Sequence, residues 1–501
     1  MRLLPPSVAA LGLLLLLAPQ APAQWTSSGL SVDRAAVASA ALGDLIFFGG
    51  GLLDWSGGGH IVGSDVVDIY DAATGAWSVA QLSSARGEVA ATTVGQLVFF
   101  AGGGNVVLSS DVVDIYDASV GPPSSPAAWS TVQLSKARSG ISAVTVGDRA
   151  LFAGGRAEDG VTTLVDVYDS SVGPPSDAAA WSTTDLSSAR QGIAAVSVDG
   201  VALFAGGRVP GVGFSATVDI YDGATGTWST QSLSQARSLG LHAAARVGHR
   251  AYFAGGVVSA FMPAIMSSVV DVYDAQSDSW STLTLVLPRD SISVAGVGGR
   301  VLFAGGLPAN AGGTDLVEIY DVGSESWLWP AQLSERRHEA ARGVAHGRAV
   351  FAGGSPGPQV PATASDAVDI YTPCTPVGAL ETVRLGTPPN PAALLPGTTS
   401  APVVAETWDP VIDHSSFLPG AVLDFVAIGL TPSDVPSPLG TLLCGAAPIS
   451  IVTGAPGEPF GFEIPADCGL AGTVLCTQGG SIDAALVVGL TNALDITIGT
   501  F

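Results

Sequence analysis

One arginine recurs seven times, at Arg34, Arg86, Arg138, Arg190, Arg237, Arg289 and Arg337, in a chain whose single lysine is Lys136. A set of guanidinium groups at one surface could attract carboxylate or sulfate groups through paired N–H donors. The chain also carries its own partners, because Asp68, Asp114, Asp166, Asp219, Asp271, Glu318 and Asp369 repeat as regularly as the arginines. Two readings therefore stand. Either each arginine pairs with its acid and cross-links the repeating units, or the series faces a ligand.

Other residues with chemical reach are fewer. Six histidines, His60, His242, His249, His338, His346 and His414, share no position in the repeat. A metal site built from His242 and His249 is a coincidence of spacing, and surface or packing roles suit these side chains better. All four cysteines, Cys374, Cys444, Cys468 and Cys476, fall in the last quarter without a close Cys-x-x-Cys pair or a neighbouring histidine, so disulfides are expected rather than zinc. No nucleophile elbow, phosphate loop or paired-histidine metal motif is present. No cofactor is implied.

The elements that must position these residues follow from the repeat, whose period is roughly fifty residues. In the first copy Arg34 precedes an apolar stretch, Ala35 to Leu42, then a turn at Gly43-Asp44 and the run Leu45-Ile46-Phe47-Phe48 ending in Gly49-Gly50. A variable loop leads to Val66-Val67-Asp68-Ile69-Tyr70, a second turn, and Trp77. Short β-runs bounded by turn residues are strands. Four strands per copy in up-and-down order make one propeller blade.

The Gly-Gly pair recurs at Gly102, Gly154, Gly206, Gly255, Gly305 and Gly353, and the Tyr series runs through Tyr116, Tyr168, Tyr221, Tyr273, Tyr320 and Tyr371. This order of Gly-Gly, Tyr and Trp resembles the kelch repeat over residues 25 to about 372. The resemblance implies a seven-bladed β-propeller, with ligands held by loops around its central channel. One arginine per blade would then lie near a channel mouth. Among the loops, Leu52 to Ser64 carries Trp55 and His60, and Val257 to Ser268 carries Phe261, Met262 and Met266, all plausible contact groups or packing residues.

Copies one to six end in Trp77, Trp129, Trp181, Trp228, Trp280 and Trp327, while the seventh runs from Tyr371 into Thr372-Pro373-Cys374. The displaced tryptophan is Trp25. We expect the N-terminal strand to complete the last blade, removing an edge that would otherwise pair with other chains. Residues 1–23, with Arg2, a leucine-rich run and Ala21-Pro22-Ala23, read as a signal peptide, so a secreted or cell-surface protein is expected. A membrane anchor is the other reading, although the run is short for a spanning helix.

From residue 373 the composition shifts to Pro, Gly and Thr, and a small antiparallel β-sandwich is expected, with strands at Leu423 to Leu430 and Ala485 to Val488. This part resembles a C-terminal extension of large secreted bacterial repeat proteins. That resemblance implies the pairs Cys374 with Cys444 and Cys468 with Cys476.

Composition limits the partners. With 501 residues, 47% hydrophobic and 12% charged, the chain can bury more than one core. A net charge of -24 repels nucleic acid and anionic lipid, so no nucleic acid partner is expected, and no segment after the signal peptide has eighteen uninterrupted apolar residues, so no membrane span in the mature chain is expected. The expectation is a monomeric, non-catalytic binding module for an extracellular protein or glycan. The alternative is an enzyme at the channel mouth, a lyase or a copper radical oxidase. The resemblance implies for the latter a cysteine bonded to a tyrosine within the propeller, whereas here every cysteine lies outside it.

Overall fold

The structure, a computed structural model, describes residues 25–499 apart from 54–61, 105–108, 241, 260–263, 310, 358–362, 374–377, 398–400, 405, 415–416, 446–447, 449 and 465–469. The expected signal peptide lies outside the described residues. The fold is all-β. Residues 27–371 form one compact unit, and residues 372–501 make the body of a second.

Seven antiparallel sheets of four strands each, with an extra strand, Ala331–Arg337, on the sixth, make the body of the first unit, and four two-stranded ribbons lie beside them. The first sheet shows the plan: Ala38–Leu42, Leu45–Gly49, Ser64–Asp71 and Trp77–Arg86, each paired with the next. Its second strand is buried from Ile46 onward because neighbouring sheets cover both faces, which is why it reads as an unbroken apolar run rather than an alternation. The equivalent Phe48, Phe100, Phe152, Phe204, Phe253, Phe303 and Phe351 have no exposed surface. In copies one to six the ring of the repeated tyrosine meets the tryptophan that opens the next strand, as in Tyr70 opposite Trp77 with centroids 4.9 Å apart. Large aromatic area thereby fills the space toward the outer edge of each sheet.

The seventh sheet takes its outermost strand from the other end of the chain. Trp25–Gly29 pairs with Ala367–Tyr371, beside Arg348–Ala352 and Ala341–Ala345. Neighbouring sheets touch through their first strands, from Ala38–Leu42 against Ala90–Val94 round to Ala341–Ala345 against Ala38–Leu42.

Glycine pairs hold these neighbours together. Gly103 N donates to Arg138 O at 2.9 Å, and Gly354 N donates to Arg34 O at 2.9 Å, so the bond that links successive copies also links the seventh to the first. At Gly102 the backbone has φ +63°, and an added Cβ would lie 2.6 Å from Arg138 O. Only glycine satisfies both limits. In the first copy the two positions fall on Gly50 and Gly51, one residue later than the Gly49-Gly50 expected, because Gly49 is still paired within its strand.

The second unit is built on a five-stranded antiparallel sheet in the order Leu380–Arg384, Val488–Thr497, Val474–Asp483, Ala421–Gly429, Ser450–Gly454. Trp408, Ile412, Val426 and Leu494 form part of its core. Two expectations need correction here. Ala485 to Val487 form a turn rather than a strand: Asp483 Oδ1 accepts from Ala485 N and Val487 N, and Leu486 takes φ +64° with its side chain exposed. The disulfide joins Cys444 to Cys476, which overturns both implied pairings. Cys444 ends the strand Gly440–Cys444 beside the sheet strand that carries Cys476, and the two meet around Leu443 and Ala493. Cys374 and Cys468 lie outside the described residues.

Candidate functional site

The arginine series turns inward. All seven side chains are buried, none with more than 3% of its surface exposed, and each forms an ion pair with the acid of its own copy: Arg34 with Asp68, Arg86 with Asp114, Arg138 with Asp166, Arg190 with Asp219, Arg237 with Asp271, Arg289 with Glu318 and Arg337 with Asp369. Of the two readings of the series, the geometry carries the structural one. A ring of free positive groups is not formed.

Each arginine lies on the link between two sheets. In the third copy, Arg138 Nη1 donates to Gly154 O at 2.9 Å and Leu164 O at 2.7 Å, while the second oxygen of Asp166 accepts from Ser135 N at 2.9 Å. Ser31, Ser83, Ser187, Ser234, Val286 and Ser334 donate in the same way to the other acids. The acid therefore ties its own sheet to the strand that precedes the arginine. Burial pushes the guanidinium of Arg138 below its usual value, and Asp166 opposes that shift through its charge and hydrogen bond.

Trp55, His60 and Phe261 fall outside the described residues. Met266 lies in a two-stranded ribbon, Val257–Ser259 with Ile265–Met266, where Ile265 is exposed. Among the histidines, His249 bonds Asp199 at 2.5 Å and His346 bonds Asp44 at 3.1 Å, both at exposed positions. His338 is buried with Nε2 bonded to Gly357 O at 2.9 Å. His242 and His249 are not brought together in any metal-capable cluster, and no group of three or more His, Cys, Asp or Glu suited to a metal ion is found among the described residues.

What the spacing did not reveal is a cavity of about 90 Å³ lined by the first strands or adjoining links of six of the seven sheets. Its polar residues are Ser39, Ser142, His242 and Arg342, set among alanines. Arg342 is half-buried, and its guanidinium donates from Nη2 to Ala244 O at 2.5 Å and from Nε to His242 O at 3.4 Å. Burial pushes Arg342 down to about 10. Burial and the charge of Arg342 push His242 down to about 3, so its imidazole is neutral at ordinary pH.

Acids sit at the same end of these strands. Glu88 and Glu339 occupy the second position after the repeated arginine, and Asp290 the first position after Arg289. Both glutamates have positive φ, 51° and 54°, and Glu339 N donates to Ser291 O of the preceding copy at 3.1 Å. Burial, reinforced by the charges of Asp290 and Glu88, pushes Glu339 up to about 7, and burial pushes Asp290 up to about 6. An aligned reading of the copies exposes part of this arrangement. At the position of Arg342, which pairs with Phe351, the other copies carry Ser39, Ala91, Ala143, Ala195, Ala244 and Val294.

The raised carboxyl of Glu339 has a consequence for stability. Unfolded, the group titrates near 4.5; folded, near 7, so the fold favours the protonated form. Its stabilising contribution is complete below 4.5 and is lost as pH rises through 7. Glu339→Gln keeps a neutral group of the same shape, so the variant should match the wild type at about pH 4 and exceed its stability by about 1–2 kcal/mol at about pH 8. Urea unfolding across this range checks the result, and a variant advantage that is constant with pH would contradict it.

No family model matches the chain, and no curated protein matches it. No helix among the described residues is long and apolar enough to cross a membrane.

Proposed function

We propose that the first unit is a seven-bladed kelch-like β-propeller, that the second is a small β-sandwich, and that the chain is an exported, non-catalytic binding module for a protein or glycan at the cell exterior. The single observation that carries the reading is that the chain's most regular polar series is consumed internally. Seven arginines and seven acids neutralise one another between sheets, which leaves the repeat as a scaffold and places recognition in the loops that differ between copies. The cyclic glycine-to-arginine bonds, closing from Gly354 to Arg34, support the ring. The Cys444–Cys476 disulfide suits an oxidising compartment.

The test uses the chain from residue 24 onward, presented to glycan and extracellular-protein arrays and assayed for bound metal. Saturable binding to one class without turnover is the expected result. Copper at one ion per chain together with oxidase activity would overturn it in favour of the enzyme.

A further inference from the structure

The strongest feature outside the repeat's own bonding is the cation inside the cavity. Every repeated arginine has a carboxylate partner, but Arg342 has none among the described residues. Two of its nitrogens are taken by carbonyls of the fifth sheet's first strand and the link before it, across the cavity from its own sheet. Nη1 makes no hydrogen bond to another described residue. A half-buried guanidinium without a counter-charge is costly, and no acid among the described residues offsets it.

We propose that Arg342 is an anion-binding residue and that the cavity takes the carboxylate group of a small monocarboxylic acid. Three further observations narrow the ligand to this class. The cavity offers about 90 Å³, room for a small acid. The residues lining it beside Arg342 include Ala38, Ala90, Ala91, Ala143 and Ala195, whose side chains offer no donor to a second charge. Ser39 and Ser142 have already given their protons, to Arg342 O and Ile193 O, so their hydroxyls present lone pairs to the cavity. A dianion such as phosphate would be poorly served by one cation among acceptors. His242, held neutral by burial and by the charge of Arg342, adds no competing positive charge. The inference does not depend on which macromolecule the loops bind.

The direct test is calorimetric titration of the whole chain with acetate, propionate and butyrate, with chloride and the neutral amides acetamide and propionamide as controls at constant ionic strength. The carboxylates are expected to bind one per chain with a dissociation constant of about 1 mM or tighter, which is within reach of so few atoms in contact with a desolvated guanidinium. Arg342→Met removes the charge and keeps the volume, and should weaken carboxylate binding at least about tenfold, the loss of one charge-assisted hydrogen bond. Because replacing an unpaired buried charge with an apolar side chain need not destabilise the fold, the variant should melt at or above the wild-type temperature. Wild-type melting should rise with added propionate, and the variant's should not. Should the variant fail to fold, the comparison of propionate with propionamide on the wild type still decides. Equal binding of acid and amide, binding of chloride as tight as propionate, unchanged affinity in Arg342→Met, or absence of saturable binding by the wild type would each overturn the proposal.

Discussion

Replacing Arg138 by alanine is expected to lower the unfolding free energy by about 3–5 kcal/mol, far more than a surface arginine would cost. The size follows from what the substitution strands. Asp166 is 2% exposed and would keep only the Ser135 N–H among its present partners, while Gly154 O and Leu164 O would lose the donor they share. A buried charge without its partner is the costly half of such a pair. Arg138→Lys should not rescue stability, because one ammonium cannot reach two carbonyls and a carboxylate through a planar fork. Removing both partners, with Arg138→Met and Asp166→Leu together, should recover much of the loss. Urea unfolding of the wild type, Arg138→Met, Asp166→Leu and the double variant forms a double-mutant cycle. A loss below about 1 kcal/mol in the single variant would mean that the pair behaves like an exposed one.

Removing residues 24–31 should be comparably damaging. The strand Trp25–Gly29 is the outer member of the seventh sheet, Leu30 is buried with its N–H bonded to Asp366 O at 2.8 Å, and Ser31 N bonds Asp68 Oδ1 at 3.1 Å. Without them Ala367–Tyr371 becomes an open edge, and Asp68 keeps Arg34 while losing its second donor. We expect a loss of about 3–5 kcal/mol, which for a unit of this size lowers Tm by roughly 4–7 °C. The truncated chain should also associate as its concentration rises, since an unpaired edge recruits other strands. Differential scanning calorimetry reads the first effect and light scattering the second. Adding the missing segment as a peptide should restore part of the Tm, and a melting curve unchanged by the truncation would disprove the role given to the strand.

Much of this architecture was legible beforehand because it is local or periodic. Leu45 to Phe48 reads as a strand from its own composition, and six tryptophans in register make the absence of a seventh, and the position of Trp25, noticeable. The cysteine pairing was not legible. Four cysteines permit three pairings, and the choice of Cys444 with Cys476 depends on which strands lie side by side. Leu486 misled for a related reason: an apolar run resembles a strand, yet Asp483 caps a turn there and leaves Leu486 in solvent.

The arginines mark the boundary between the two kinds of information. Their number, spacing and matching acids are written in the chain, because a repeated unit must solve the same bonding problem at every copy. Whether those charges faced a ligand or one another depended on the direction of each side chain relative to the next sheet, a through-space relation that no spacing encodes. The same holds in reverse for Arg342. It breaks the repeat at one position in the first strands, but its meaning comes from six sheets converging on one small space, where a charge that would be unremarkable at a surface has no counter-ion among the described residues.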